Sequence, residues 1–366
     1  MSKGYLILET GEQFEGDWIG AQQEISGEVV FNTSMTGYQE MMTDPSYAGQ
    51  ILTFCYPIIG SYGVNQEDDE SHKLSVSAVI ASDVCDEPSH YQSTSSFSEE
   101  LKDANIPGLK NVDTRSLVAV IRKHKTVVGK IVSEKEKDKQ QLSSDWGKIE
   151  NMELVNRVSV KSPQTYGNGL YHVVLIDYGY KKSILQALLA QCKVTVVPYH
   201  TSLETIESMN PNGILLSNGP GDPMELKEYF PVIKALTENY PTLGICLGHQ
   251  LIALAYGATT KKMPFGHRGA NHPVKDLLTG KVRMTSQNHG YVVEENSIDS
   301  RYFQVLFRNV NDRSLEGMKH VSKPIQSVQF HPEAHPGPSD TEYIFNAFIQ
   351  QVTIAAQEGA PAYVEA

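Results

Sequence analysis

No unbroken apolar run in the 366-residue chain approaches the roughly 18 residues that cross a bilayer as a helix. Cysteine is scarce. The four (Cys55, Cys85, Cys192 and Cys246) lie far apart and form no C-x-x-C pair, so neither a disulfide framework nor a paired-cysteine zinc site is encoded, and free thiols in a reducing cytoplasm are expected. Basic charge is in short supply as well. Thirty-one Lys and Arg stand against 43 Asp and Glu, a net charge of −12, which argues against nucleic acid or an anionic membrane as partner. The most basic stretch, RKHKTVVGKIVSEKEKDK (122–139), mixes both signs and reads as solvated surface. There is no low-complexity tract, no internal repeat, no G-x-x-x-x-G-K-[ST] phosphate loop and no Rossmann glycine fingerprint. The start, MSKGYLILETGEQFEG, reads at once as strand, glycine turn and strand rather than as the apolar core of a signal peptide.

The length allows two domains, each with its own core. Residues 1–150 are rich in β-branched and aromatic runs (YLILE, GEVVFNTS, GQILTFCYP, KLSVSAVIAS), followed by two helical patterns, SEELKDAN and DTRSLVAVIRKH. This is the pattern of a mixed α+β domain. The polar stretch 133–169 carries the boundary, with a linker placed at 151–170. From 171 to 358 the texture is α/β: HVVLIDYG, KVTVVPYH, GILLSNGPGDP and TLGICLG read as strands, and KKSILQALLAQ, LETIESMN, LKEYFPVIKALTEN and HQLIALAYG as helices. Alternating elements with near-unbroken apolar strands predict a doubly wound, largely parallel sheet covered on both faces. Residues 359–366 form a short tail.

Ligands of such sheets bind beyond the carboxyl ends of the strands. Two loops fall there, SNGPGDP (217–223) and the corner G-I-C-L-G (244–248). A glycine-flanked cysteine between strand and helix has the pattern of a nucleophile elbow, which thrusts the side chain out of the sheet edge at a helix N-terminus. The amide of Leu247 is then placed to hold an oxyanion, with the Gly219 amide of the neighbouring loop as the second donor. A cysteine nucleophile needs a base and a group to orient it. His331, directly after the apolar run PIQSVQF, has Glu333 two residues on and Pro332 between them to hold a bend. The other three cysteines lie in strand-like runs and are expected to be buried small hydrophobes. A metal reading of His331, Glu333 and His335 with the distant His267, His272 and His289 is disfavoured, because the prolines after His272, His331 and His335 forbid helical ligand spacing.

GICLGHQ followed some 80 residues later by QFHPEA resembles the class I (triad) glutamine amidotransferase domain, and the resemblance makes Cys246 the nucleophile, His331 the base and Glu333 its orienter. LSNGPGDP, FGHRGANHPVKD, SQNHGYVV and HPEAHPGPSD, with residues 27–65 and 106–124 of the first domain, are similar to the glutaminase (small) chains of carbamoyl-phosphate synthase, over nearly the whole length. The resemblance implies that Ser46, Gly219, Gly221, Leu247, Gln250, Asn288, Gly290 and Tyr291 bind L-glutamine, with the Gly219 and Leu247 amides forming the oxyanion hole. It implies no cofactor or metal in this chain. ATP and a divalent metal ion belong to a large synthetase chain, to which the first domain would dock in a heterodimer. The sequence departs from the family pattern at His335, where Ser is frequent, and at Ser61, where Asn is usual; Tyr291 stands where Phe also occurs. Other readings are the glutaminase parts of anthranilate, GMP or CTP synthesis, a stand-alone cysteine hydrolase, and a non-catalytic scaffold. The first domain argues against the synthesis enzymes and the intact Cys-His-Glu set against the scaffold.

Overall fold

The structure is a computed structural model that describes residues 2–137, 146 and 152–358. The chain forms two compact units, Met1–Glu150 and Asn151–Ala366.

The first unit is built on a closed barrel of seven strands, in the order Lys3–Leu8, Gln13–Gly20, Pro107–Lys110, Ala78–Ile80, Gln50–Phe54, Ile25–Asn32 and Val128–Ser133. The expected opening hairpin is present: Lys3–Leu8 pairs antiparallel with Gln13–Gly20 across a turn in which Gly11 takes φ 98°. Leu6, Leu8, Val29, Ile51, Ile80, Leu109 and Ile131 pack together with Leu117 and Ile121 of the helix Thr114–His124. The helix Phe97–Asp103 opens on a capping box between Ser96 and Glu99. A short helix absent from the sequence reading, Tyr38–Thr43, brings Tyr38, Met41 and Met42 into a second core cluster.

The second unit is a ten-stranded sheet. Its parallel core runs Cys192–Pro198, Tyr171–Asp177, Gly213–Leu216, Thr242–Ile245 and Ile325–Val328. Successive residues of one strand face opposite layers. Val173 and Leu175 pack with Ile184 and Leu188 of helix Lys182–Leu189 and with Phe345 and Phe348 of helix Tyr343–Gln357. Val174 and Ile176 pack with Ile206, Ile233 and Leu251, from the helices Leu203–Ser208, Phe230–Asn239 and Leu247–Ala255. Covering both faces is why these strands are predominantly apolar, with no strict polar alternation.

Beyond Ile325–Val328 the sheet continues antiparallel through Leu315–His320, Phe303–Asn309, Thr260–Asp276 and Val282–Val293. The stretch read as linker holds a helix, Met152–Val158, and a strand, Gln164–Tyr166, which pairs antiparallel with Cys192–Pro198 at the sheet's other edge. A three-residue strand with polar side chains has too little periodicity to stand out in the sequence, and its register is set by the neighbour it lies on. Cys192 is buried as expected, whereas Cys55 and Cys85 are only half-buried: each follows the end of its strand, so no second layer covers it. All four thiols are free. The tail 359–366 and most of 138–151 lie outside the described residues. No described helix is long and apolar enough to cross a membrane.

Phe348, 3% exposed, lies between the C-terminal helix and the sheet. Phe348→Ala is expected to cost about 3–5 kcal/mol through lost burial and the cavity left behind. Denaturant unfolding checks this, and a loss under 1 kcal/mol would show that the helix does not anchor the core.

Candidate active site

Cys246 is the junction of Thr242–Ile245 and Leu247–Ala255, with φ 52° and ψ −101°. A non-glycine residue rarely holds such a conformation, which costs of order 1–3 kcal/mol and persists only where its surroundings enforce it. Here the Cys246 amide donates to Val328 O (2.8 Å), and the Gly248 amide donates to Ser217 O (3.0 Å). The start of the helix is pressed so closely onto the neighbouring strand that a β-carbon at Gly248 would lie 2.2 Å from the Leu216 carbonyl oxygen. That contact is the reason for a glycine two residues after the cysteine.

The side chain of Cys246 is 2% exposed. Its Sγ lies 3.7 Å from the Asn288 carbonyl oxygen and receives Gln329 Nε2 at 3.6 Å. His331 is 2% exposed; its backbone amide donates to Ser286 O (2.9 Å), so the long antiparallel hairpin holds it in place. His331 Nδ1 is 2.6 Å from Glu333 Oε1. A carboxylate only accepts, so Nδ1 carries the proton and Nε2 is the ring atom left for the sulfur. Nε2 is buried without a hydrogen bond at normal geometry, yet the thiol is near enough to favour the protonated ring. Burial pushes His331 down, but Glu333 and then Cys246 outweigh it and bring the ring up to about 10. Glu333 is pushed up by burial, but Lys181 and His331 hold it down at about 2.

Lys181 was not singled out from the sequence. It is 2% exposed, with Nζ 3.2 Å from Glu333 Oε1 and donating to Ala334 O at 2.7 Å. Its loop is fixed by Asp177, whose carboxylate accepts the amides of Val160 (2.7 Å), Gly179 (2.7 Å) and Tyr180 (2.9 Å).

Gly219 sits against the elbow. A β-carbon there would meet Tyr178 O at 2.4 Å and Leu247 Cδ2 at 2.9 Å. Neither the Gly219 nor the Leu247 amide has a protein acceptor among the described residues, which leaves both donors for an oxyanion. Gly221, in the same loop, takes φ 95°. Asn288, Gly290 and Tyr291 lie within the strand Val282–Val293 and not in a turn; Asn288 O faces the sulfur, and the Tyr291 carbonyl accepts Gln250 Nε2 (2.9 Å). Gln250 is buried and spends its second N–H on Gln329 Oε1 (3.0 Å), so its oxygen is what it offers a ligand. Ser46 belongs to the first unit, in the turn Pro45–Tyr47, where its amide donates to Asp44 Oδ1 (2.9 Å).

His331, Glu333 and His335 do not gather with the other histidines. His267, His289 and Glu316 are all buried and offer donor atoms within 4.8 Å of one another. Gln287 already lies among them, its Oε1 at 2.7 Å from His267 Nδ1 and 3.1 Å from His289 Nε2, and its Nε2 donating to Glu316 Oε2 (3.0 Å). An amide thus occupies the place between the three groups. His335 is exposed, four residues past the base.

Two family models match, the class I glutamine amidotransferase over residues 174–351 and the carbamoyl-phosphate synthase small chain, CPSase domain, over residues 6–131. The arginine-specific small chain of Bacillus subtilis (strain 168) is 49% identical over 98% of this chain and 100% of its own length. The chain belongs to the carbamoyl-phosphate synthase small-chain family. The arginine-specific small chain of Geobacillus stearothermophilus is 51% identical over 96% of this chain and 98% of its own. The small chain of Staphylococcus saprophyticus is 48% identical over 96% of both chains. Cys246, His331 and Glu333 all lie in the part of this chain that matches the amidotransferase model.

The charges fix the direction of pH effects. Glu333 contributes stability above its ordinary 4.5, lost as pH falls toward 2; His331 contributes below its ordinary 6.5, lost as pH rises through about 10. Glu333→Gln removes the anion that holds the ring's proton. The alkaline limb of the glutaminase pH–rate profile is expected to move to lower pH, with the rate down on the order of 10²-fold. An unmoved limb would show that Glu333 does not set the charge of the ring.

Proposed function

We propose that this chain hydrolyses L-glutamine through a Cys246 thioester and passes the ammonia to a large ATP-dependent chain, which makes carbamoyl phosphate from bicarbonate for arginine and pyrimidine synthesis. The observation that carries the reading is the strained Cys246 elbow, with His331 and Glu333 behind it. The thiol proton passes to His331 Nε2, and Sγ attacks the γ-carboxamide carbon. The Gly219 and Leu247 amides hold the oxyanion. His331 returns the proton to the departing nitrogen, ammonia leaves, and water deprotonated by His331 splits the thioester to glutamate. Gly221, Gln250, Asn288, Gly290 and Tyr291 bind the α-amino and α-carboxyl groups, and the family pattern adds Ser46 as a further glutamine-binding residue. Gln250 serves as an acceptor, because both its N–H bonds are spent within the protein. ATP and its divalent metal ion are bound by the large chain, and the four free thiols suit the cytoplasm.

Cys246→Ser in the two-chain enzyme is expected to abolish glutamine-dependent carbamoyl phosphate synthesis and to leave synthesis from added ammonia intact. Loss of both would contradict the division of labour, and release of amines from peptides faster than ammonia from glutamine would favour a stand-alone hydrolase. The first unit is the docking surface for the large chain in this reading. A chain lacking residues 1–150 is expected to lose that partner on co-purification; retention would move docking to the second unit.

A further inference from the structure

Gln329 is fully buried, two residues before the base, and its amide nitrogen lies 3.6 Å from Cys246 Sγ. The two ends of a side-chain amide are told apart through their partners. Here the partners decide. The Tyr291 carbonyl can only accept, so the Gln250 group facing it at 2.9 Å is the NH2. The second N–H of that group points at Gln329, 3.0 Å away, and requires an oxygen there. Gln329 must therefore turn its own NH2 to the sulfur. A backbone carbonyl thus sets the polarity of two side-chain amides in series, and the series ends on the reacting atom.

We propose that Gln329 is a catalytic residue of the glutaminase: an N–H donor held in one orientation by Gln250 that stabilises the Cys246 thiolate. The proposal rests on Cys246 being the nucleophile. In the thiol state the S–H donates to the Asn288 carbonyl, 3.7 Å away. When the proton passes to His331 Nε2, that contact turns into a carbonyl dipole facing an anion, which is unfavourable, while the Gln329 N–H becomes a charge-assisted hydrogen bond. The sulfur exchanges one partner for the other without moving, and no bond other than S–H is broken. Gln250 acquires two tasks from this geometry, offering its oxygen to the substrate and fixing the amide beneath the sulfur. Glutamine binding and thiolate stabilisation are thereby joined through one side chain.

The test is alkylation of the full chain by iodoacetamide without glutamine, with modification at Cys246 quantified by peptide mass and Cys246→Ser as the blank. Gln329→Met, close in shape but without the donor, is expected to react about tenfold more slowly at neutral pH, the scale of one hydrogen bond to a charged group. In strongly alkaline buffer, where the thiol is ionised in either protein, the two rates should converge. Equal rates at neutral pH would overturn the proposal. So would the same deficit at every pH, which would mean altered access rather than a lost donor. If Gln329→Met does not fold, Gln250→Met carries the test: it leaves the Gln329 amide free to rotate, and a smaller loss with the same convergence is expected, whereas unchanged reactivity rejects the orientation argument. Wild-type Cys246 no more reactive than the other three cysteines would instead refute its role as nucleophile, a different failure.

Discussion

Three ionisable groups, Lys181, Glu333 and His331, stand in a row with 2–3% exposure each, and the site depends on their mutual attraction. Charges removed from water cost several kcal/mol apiece unless partners and hydrogen bonds replace the solvent. Lys181 meets Glu333 and the Ala334 carbonyl, Glu333 meets Lys181 and the imidazole through Oε1, and the imidazole is bonded to Glu333 through Nδ1 while Nε2 is left for the sulfur. The far end of the row is the one place where a negative charge is welcome and a reaction can follow. A cation at one end and a nucleophile at the other make the carboxylate more than an orienter: it carries the influence of a lysine to a ring that the lysine does not bond.

The backbone makes the same kind of demand. The elbow conformation at Cys246 is unfavourable alone, and what enforces it is contact with the strands on either side, Gly213–Leu216 and Ile325–Val328. Those strands are largely buried, and helices cover both faces of the sheet. The strain at the sulfur is therefore held by a core that has no other chemical duty, a usual arrangement for active sites.

Much of this was legible in the sequence, for physical reasons. Fully buried parallel strands carry no polar alternation, so HVVLIDYG and GILL announce themselves, and the glycines around Cys246 mark a turn where backbones nearly touch. The triad residues were also accessible, because His331 and Glu333 are neighbours in the chain. Lys181 was not. In YGYKKS it looks like the polar start of an amphipathic helix, and its burial is decided by Ala334, 153 residues away. Gln329 was hidden differently, as one polar position in a run that alternates like any half-buried strand; only the distance to the sulfur reveals what it does. Gln287, central to the histidine cluster, was missed because His267, His289 and Glu316, which it joins, lie on three different strands. The helix Tyr38–Thr43 and the strand Gln164–Tyr166 were too short for periodicity to speak.

The bridge between Ser286 and His331 bears on how this site can change over evolutionary time. From Ser286 to Tyr291 one stretch of strand registers the base, faces the sulfur through Asn288 and anchors Gln250 through Tyr291. Side chains on a strand alternate, so inserting or deleting a single residue within these six would send every later one to the opposite face. The turn at the other end of the same hairpin, where Leu278 is 65% exposed and Gly280 has open space around it, bears no such burden. Length variation among descendants of this chain should collect at that turn and spare the six.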